Sequence, residues 1–260
     1  MFLDRIVQTK KEEIALLREQ VELRTDVISP SLPPCYSLKE ALSVRGERPA
    51  VIAEVKPASP SKGVIRALVD PVNVATSYEK GGAAAISVLT DRPFFHGSLE
   101  NLKRVKKAVT LPVLRKDFIL DEVQIWESRM SGADAILLIA ALLSPARLRA
   151  LTKYAHQLGL EVLLEIHEES EIEAALAAKA DVIGINNRDL STFVTDLNVT
   201  ERLRLRLPAS VTVIGESGIH SRADFDRMAE AGVDGVLIGE YLMRQADPSR
   251  ALRQLQESVQ

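Results

Sequence analysis

Gly132-Ala133-Asp134-Ala135-Ile136-Leu137-Leu138-Ile139 reads as a turn glycine, two loop residues and a five-residue apolar run. Glycine before such a run supplies a left-handed helix cap, so the stretch marks the passage from a helix into a buried strand. The same entry signal recurs at Gly82-Ala83-Ala84 and at Gly232-Val233-Asp234. Working outward, apolar runs stand at 51–55, 84–89, 112–114, 135–139, 161–166, 182–185, 211–214 and 235–238. Their C-terminal ends are on average about 26 residues apart, the length of a strand, a crossover helix and two short loops. Eight such units predict an α/β protein of the (β/α)8 TIM-barrel class. An open doubly wound sheet is the alternative, but no Gly-rich dinucleotide fingerprint follows the first run.

The first 48 residues differ. Leu3, Ile6, Val7, Ile14, Leu17 and Val21 recur at helical spacing in a charged background, which predicts an amphipathic helix over 2–24. Ser29-Pro30-Ser31-Leu32-Pro33-Pro34 then breaks regular structure, because proline supplies no backbone donor and restricts its predecessor. The chain divides into an N-terminal helical extension with a linker over 1–48 and a barrel over 49–260. The extension is too small to be a domain of its own.

Composition narrows the function classes. The 260 residues carry 33 Lys+Arg against 36 Asp+Glu, a net charge of −3, so no basic excess points to nucleic acid. The single cysteine, Cys35, leaves no intrachain disulfide and suits a reducing compartment. Met1-Phe2-Leu3-Asp4-Arg5 alternates charge with apolar residues, unlike a signal peptide. The longest apolar run, 135–143, is far short of the roughly 20 residues that span a bilayer. The expectation is a cytoplasmic protein without membrane or nucleic-acid partners.

Against that background, charges at strand ends stand out, because barrel interiors are normally branched aliphatics. The first strand reads Ile52-Ala53-Glu54-Val55-Lys56, and a period of two puts Glu54 and Lys56 on one face. The third ends Leu114-Arg115-Lys116-Asp117-Phe118, the fifth Leu164-Glu165-Ile166, and the seventh Gly215-Glu216-Ser217-Gly218. Two lysines and three glutamates can therefore converge on one C-terminal mouth. Each alone could be a solvated or paired rim charge. Burying five together is costly unless they serve a site, and close carboxylate–ammonium packing is how pKa values are moved for acid–base work.

A second constellation fits a phosphate. Glycines follow the seventh strand (Gly218) and the eighth (Gly239, before Glu240), where backbone N–H groups can face an anion. Ser59-Pro60-Ser61-Lys62-Gly63 adds hydroxyls, a cation and a flexible hinge after the first strand. Phe94 and Phe95 stand in a polar loop, where a pocket wall competes with simple exposure. Trp126 reads as a helix packing residue, and Arg202-Leu203-Arg204-Leu205-Arg206 as a helix surface. His96, His156, His167 and His220 lack metal-ligand spacing, so no metal site is expected.

Together these motifs closely resemble the indole-3-glycerol-phosphate synthase family of tryptophan biosynthesis. The resemblance is carried by Ile52-Ala53-Glu54-Val55-Lys56-Pro57-Ala58-Ser59-Pro60-Ser61-Lys62-Gly63, by Leu114-Arg115-Lys116-Asp117-Phe118-Ile119 and by Ile183-Gly184-Ile185-Asn186-Asn187-Arg188-Asp189-Leu190. It continues through Glu165-Ile166-His167, Gly215-Glu216-Ser217-Gly218-Ile219 and Ile238-Gly239-Glu240, and covers nearly the whole chain. It implies a cofactor-free ring closure of 1-(2-carboxyphenylamino)-1-deoxyribulose 5-phosphate, releasing carbon dioxide and water. Carried over residue by residue, it makes Lys116 the general acid and Glu165 its acid–base partner. Lys56 becomes a second ammonium near the carboxylate and phosphate. Glu54, Asn186 and Glu216 match positions that orient the substrate and keep the lysines charged. Ser59, Arg188 and Ser217 match substrate contacts, Gly218, Gly239 and Glu240 phosphate contacts, and Phe118 with Phe94 or Phe95 the anthranilate wall. Some members place serine where Glu240 stands: if its backbone N–H makes the contact the side chain matters little, and otherwise direct phosphate contact by Glu240 is in doubt.

The implied partner is a phosphorylated small molecule, and the expected state is a monomer or weak homodimer. The neighbouring isomerase of that pathway relies on a cysteine ending the first strand, where this chain has Glu54 and Lys56. A Schiff-base aldolase would use Lys116 or Lys56 as an imine-forming group. A non-catalytic ligand-binding barrel would have no need of Glu54, Lys56, Lys116 and Glu165 together.

Overall fold

Eight parallel strands close into a barrel in the computed structural model, which describes residues 2–21, 32–43, 48–60, 62–66 and 70–257, the Phe2 side chain excepted. They are β1 (Ala50–Val55), β2 (Ala85–Leu89), β3 (Val113–Lys116), β4 (Ala135–Ile139), β5 (Glu161–Ile166), β6 (Val182–Asn186), β7 (Val213–Glu216) and β8 (Gly235–Ile238). Each pairs with the next in sequence, and β8 returns to β1 with Ala53 opposite Ile238. Helices α3 (Pro71–Lys80) to α9 (Arg222–Glu230) fill the crossovers, and α10 (Glu240–Met243) and α11 (Pro248–Gln256) follow β8. This is the (β/α)8 TIM barrel expected.

The turn glycines take the conformation that the entry signal implied. Gly82, Gly132 and Gly232 have φ of +89°, +87° and +75°. The aspartates beside them have a second task. Asp134 and Asp234, with Asp181, each accept the backbone N–H of the preceding strand's start, from Val113 (2.7 Å), Val213 (2.9 Å) and Val162 (2.8 Å).

Two strands depart from the apolar runs. β3 and β7 reach Lys116 and Glu216, beyond the runs at 112–114 and 211–214. Charge interrupts the hydrophobic pattern there, but the ladder continues, with Leu89 opposite Lys116 and Asn186 opposite Glu216. Pro112, which has no N–H to give, stays outside the strand. The stretch after β1 is also more regular than a hinge. Ala58–Ser59 pairs antiparallel with Gly63–Val64, while Ser61 lies outside the described residues.

Alternation along the strands separates two cores. Ile52, Leu114, Leu163, Val182, Ile214 and Leu237 point into the barrel, and Val51, Val113, Val162, Ile183, Val213 and Val236 pack outward against the helices. Leu38 and Leu42 of α2 (Leu38–Ser43) join the inner core and close its N-terminal end. Glu161 caps that helix, accepting from Ser37 Oγ (2.6 Å) and the Lys39 amide (2.8 Å).

At the opposite end lies α1 (Phe2–Gln20), shorter than the expected 2–24; residues 22–24 and the linker as far as Ser31 lie outside the described residues. Lys10 fastens α1 to the barrel: its side chain is 2 % exposed, and its Nζ meets Glu13 (2.8 Å), Asp91 (2.9 Å) and Asp117 (3.0 Å). No helix among the described residues is long and apolar enough to cross a membrane.

Candidate active site

Every inward position nearest the C-terminal end of β1, β3, β5, β6 and β7 is polar: Glu54, Lys116, Glu165, Asn186 and Glu216, with Lys56 just beyond β1. The alternation that buries Ile52, Leu114, Leu163 and Ile214 one step deeper, and Val182 two steps deeper, also aims these side chains inward. Lys116 sits at the centre, its Nζ 3.3 Å from Glu165 Oε2 and 3.4 Å from Glu216 Oε2. Lys56 Nζ lies 2.6 Å from Glu54 Oε2. Asn186 Nδ2 donates to Glu165 Oε1 (2.9 Å), and its Oδ1 accepts the Arg188 amide (3.0 Å), which settles which way the carboxamide faces.

Burial and charge shift these groups in opposite senses. Burial alone would lower the Lys116 ammonium pKa, but Glu165, Glu216 and Glu54 outweigh it and hold Lys116 protonated well above the usual lysine range. Burial would raise Glu54, yet Lys56, Lys116 and Arg188 bring it below its ordinary value. Glu216 goes the other way. Burial, with Glu165 and Glu54 beside it, pushes its carboxyl up to about 7 against the pull of Lys116. Glu54 and Glu216 are thus pushed in opposite directions, which is the condition for distinct acid–base tasks.

Two glycines make room for this cluster. A Cβ on Gly184, an inward position of β6, would run into Glu216 Oε1, and one on Gly239 into Glu54 Oε2. Both carboxylates occupy space that any other residue would fill.

The cavity around Lys116 has two lobes. The larger, about 760 Å³ with its open mouth, is lined by Glu54, Lys56, Ser59, Phe95, Lys116, Phe118, Glu165, Asn186, Arg188 and Ser217. Phe95 and Phe118 form its aromatic wall, ring centroids 6.0 Å apart. The smaller and more polar lobe shares Glu54, Lys56, Lys116, Arg188 and Ser217, and adds Glu216, Gly218, Gly239 and Glu240. Fourteen of the fifteen residues singled out in the sequence therefore line one or other lobe. Phe94 is not among them; it packs against the inner core, and its amide donates to Asp91 Oδ1 (2.8 Å). The Glu240 carboxylate is engaged by Arg244 (3.0 Å), which leaves the backbone freer than the side chain to meet a ligand.

Sequence reasoning missed part of the lining. Leu3 and Ile6 come from α1, Leu190 and Phe193 from the loop after β6, and His220 from the loop after β7. Leu190 and Phe193 carried the same signal as Phe95, an apolar side chain in a polar loop. Phe193 is also held at φ +60°, unusual for a bulky residue. Leu3 and Ile6 gave none, since their spacing reads equally as packing.

A family model described as indole-3-glycerol phosphate synthase matches residues 3–255. A Dehalococcoides mccartyi protein of that description is 49% identical over 265 residues, covering 98% of this chain and 100% of its own. One from Carboxydothermus hydrogenoformans is 46% identical, covering 98% and 99%, and one from Burkholderia vietnamiensis 47%, covering 97% and 98%. Among solved structures, the N-acetylmannosamine-6-phosphate 2-epimerase of Clostridium perfringens superposes with a TM-score of 0.62 over 88% of this chain and 99% of that one. At 14% identity it speaks for the barrel alone. With a match running from α1 to α11 and relatives near half identical over their full lengths, the chain belongs to the indole-3-glycerol phosphate synthase family.

Proposed function

We propose that Lys116 is the general acid of indole-3-glycerol phosphate synthesis in this chain, with Glu165 as its acid–base partner. The observation that carries this reading is the Lys116 ammonium, held between two buried carboxylates where the aromatic-walled lobe meets the polar one. A substrate with an anthranilate ring at one end and a phosphate at the other spans those lobes. Its carbonyl then lies near Lys116.

The chemistry follows from that placement. The ring carbon bearing the carboxylate attacks the ribulose carbonyl, a carbon–carbon bond forms, and Lys116 gives its proton to the carbonyl oxygen. The attacking ring carbon has lost aromaticity, so its bond to the carboxylate breaks, carbon dioxide leaves, and the electron pair restores the ring. Dehydration follows: the new hydroxyl leaves as water while the methylene beside nitrogen gives up a proton. Glu165, fixed by Asn186 and bonded to Lys116, is placed to serve as the acid–base partner in that step. Glu54 and Glu216 keep the lysines charged, and Lys56 and Arg188 offset the substrate's anionic ends.

In the polar lobe, Gly218 and Gly239 offer backbone N–H groups to the phosphate, together with the backbone of Glu240 and the Lys56 ammonium. Phe95 and Phe118 stack the anthranilate ring, while Ser59 and Ser217 border its path to the phosphate end. Residues 1–48 act as an extension of the single catalytic barrel, and no cofactor takes part.

Fluorescence detection of indole product from 1-(2-carboxyphenylamino)-1-deoxyribulose 5-phosphate is the direct test. Lys116→Ala should abolish turnover while leaving folding and substrate binding largely intact; near-wild-type turnover would sink the assignment. Glu165→Gln should lower kcat far more than affinity, and a raised KM alone would contradict it.

A further inference from the structure

Asn187 follows directly on β6, is fully buried, and lines neither lobe. Its Oδ1 accepts both the backbone N–H (3.1 Å) and the hydroxyl (2.7 Å) of Thr200 in α8 (Asn198–Arg204). A backbone amide can only donate, so that contact fixes the carboxamide's orientation and leaves Nδ2 as the group facing away. Nδ2 donates to the carbonyl oxygen of Ser217 (3.1 Å). Ser217 and Gly218 have φ of +65° and +81°, two left-handed residues in succession. Glycine takes that conformation freely, but for serine it is disfavoured and must be held.

We propose that Asn187 is the positioning residue of the phosphate lobe. By gripping the Ser217 carbonyl it keeps Ser217 and Gly218 in the bend that presents their amides to the phosphate group. The inference rests on reading that lobe as the one that receives the phosphate. The grip is anchored on Thr200, so α8 serves as the rigid backing of the loop. Gly218 admits no side chain, since a Cβ there would press on Thr195 and Leu197.

The test uses inorganic phosphate and N-methylanthranilate as competitive probes of the two ends of the cavity. Asn187→Ala should raise the phosphate Ki and the substrate KM about tenfold, the equivalent of roughly 1.4 kcal/mol. It should leave kcat and the N-methylanthranilate Ki within about twofold. In a Ser217→Gly background the same change should move the phosphate Ki less than about twofold, because glycine needs no restraint at that φ. Thr200→Val, which keeps the backbone donor, should lower stability without moving either Ki. An unchanged phosphate Ki in Asn187→Ala would overturn the proposal. So would an equal loss with and without Ser217→Gly, or an equal loss of both probes. Should the alanine variant not fold, Asn187→Asp keeps the acceptor for Thr200, and the Ser217→Gly background separates its charge from the lost donor. If phosphate fails to compete with substrate on the unaltered protein, the reading of the lobe falls first and the role of Asn187 with it.

Discussion

Burial holds a proton on Glu216 to about pH 7, whereas an ordinary glutamate releases it near 4.5. Between those values the folded protein binds more protons than the unfolded chain, so raising the pH through that window must cost stability. The sign is opposite to that of a salt-bridged surface carboxylate. Urea midpoints measured at about pH 5.5 and about pH 7.5 should therefore fall with pH, and Glu216→Gln should flatten the fall. An identical slope in the variant would place the titrating group elsewhere. Glu216 could be singled out in the sequence because a charge at a strand end is conspicuous. What made room for it could not: Gly184 looks like any strand glycine until the carboxylate is seen in the space its Cβ would take.

Charge at the element scale ties α1 to the barrel. Asp91 accepts the amides of Phe94 (2.8 Å) and Phe95 (3.2 Å), and Asp117 accepts that of Phe118 (2.8 Å). Lys10 joins the two carboxylates, so one ammonium from α1 braces the backbone of both aromatic wall residues. Lys10→Met would leave buried carboxylates short of a partner, although Asp117 keeps Arg115 (3.1 Å) and Thr90 (2.5 Å). The expected loss is about 3 kcal/mol in urea unfolding, the low end for breaking a buried pair, together with a raised KM. A variant as stable as the parent would show that α1 merely rests on the mouth. The strands and most helices were legible from their periodicity. The ends of β3 and β7 were legible too, at Lys116 and Glu216, although hydrophobicity stops short of them, because charges that find partners continue a ladder. The contact of α1 with the mouth was invisible, since an amphipathic helix does not say what it packs against.

For the whole molecule, the barrel separates chemistry from stability along its axis. The C-terminal mouth holds the charged cluster, and the N-terminal end is closed by α2, with inner aliphatic residues between them. Leu42 belongs to the closed end. It is 1 % exposed, and a Cβ added to Gly235 of β8 would come within 2.7 Å of its Cδ2. Leu42→Ala opens a cavity there and should destabilise by about 2–5 kcal/mol, as large-to-small changes in a tight core do. Leu42 meets the barrel at Gly235, where β8 begins, whereas the charged cluster stands at the strands' C-terminal ends, so the two sites should behave additively. Below the variant's unfolding transition, kcat/KM should stay within about twofold of the parent. Urea unfolding and steady-state kinetics on one preparation test both halves. Lost stability with intact kcat/KM supports the division, whereas a comparable fall in kcat/KM would mean that the plug transmits strain through the barrel to Lys116.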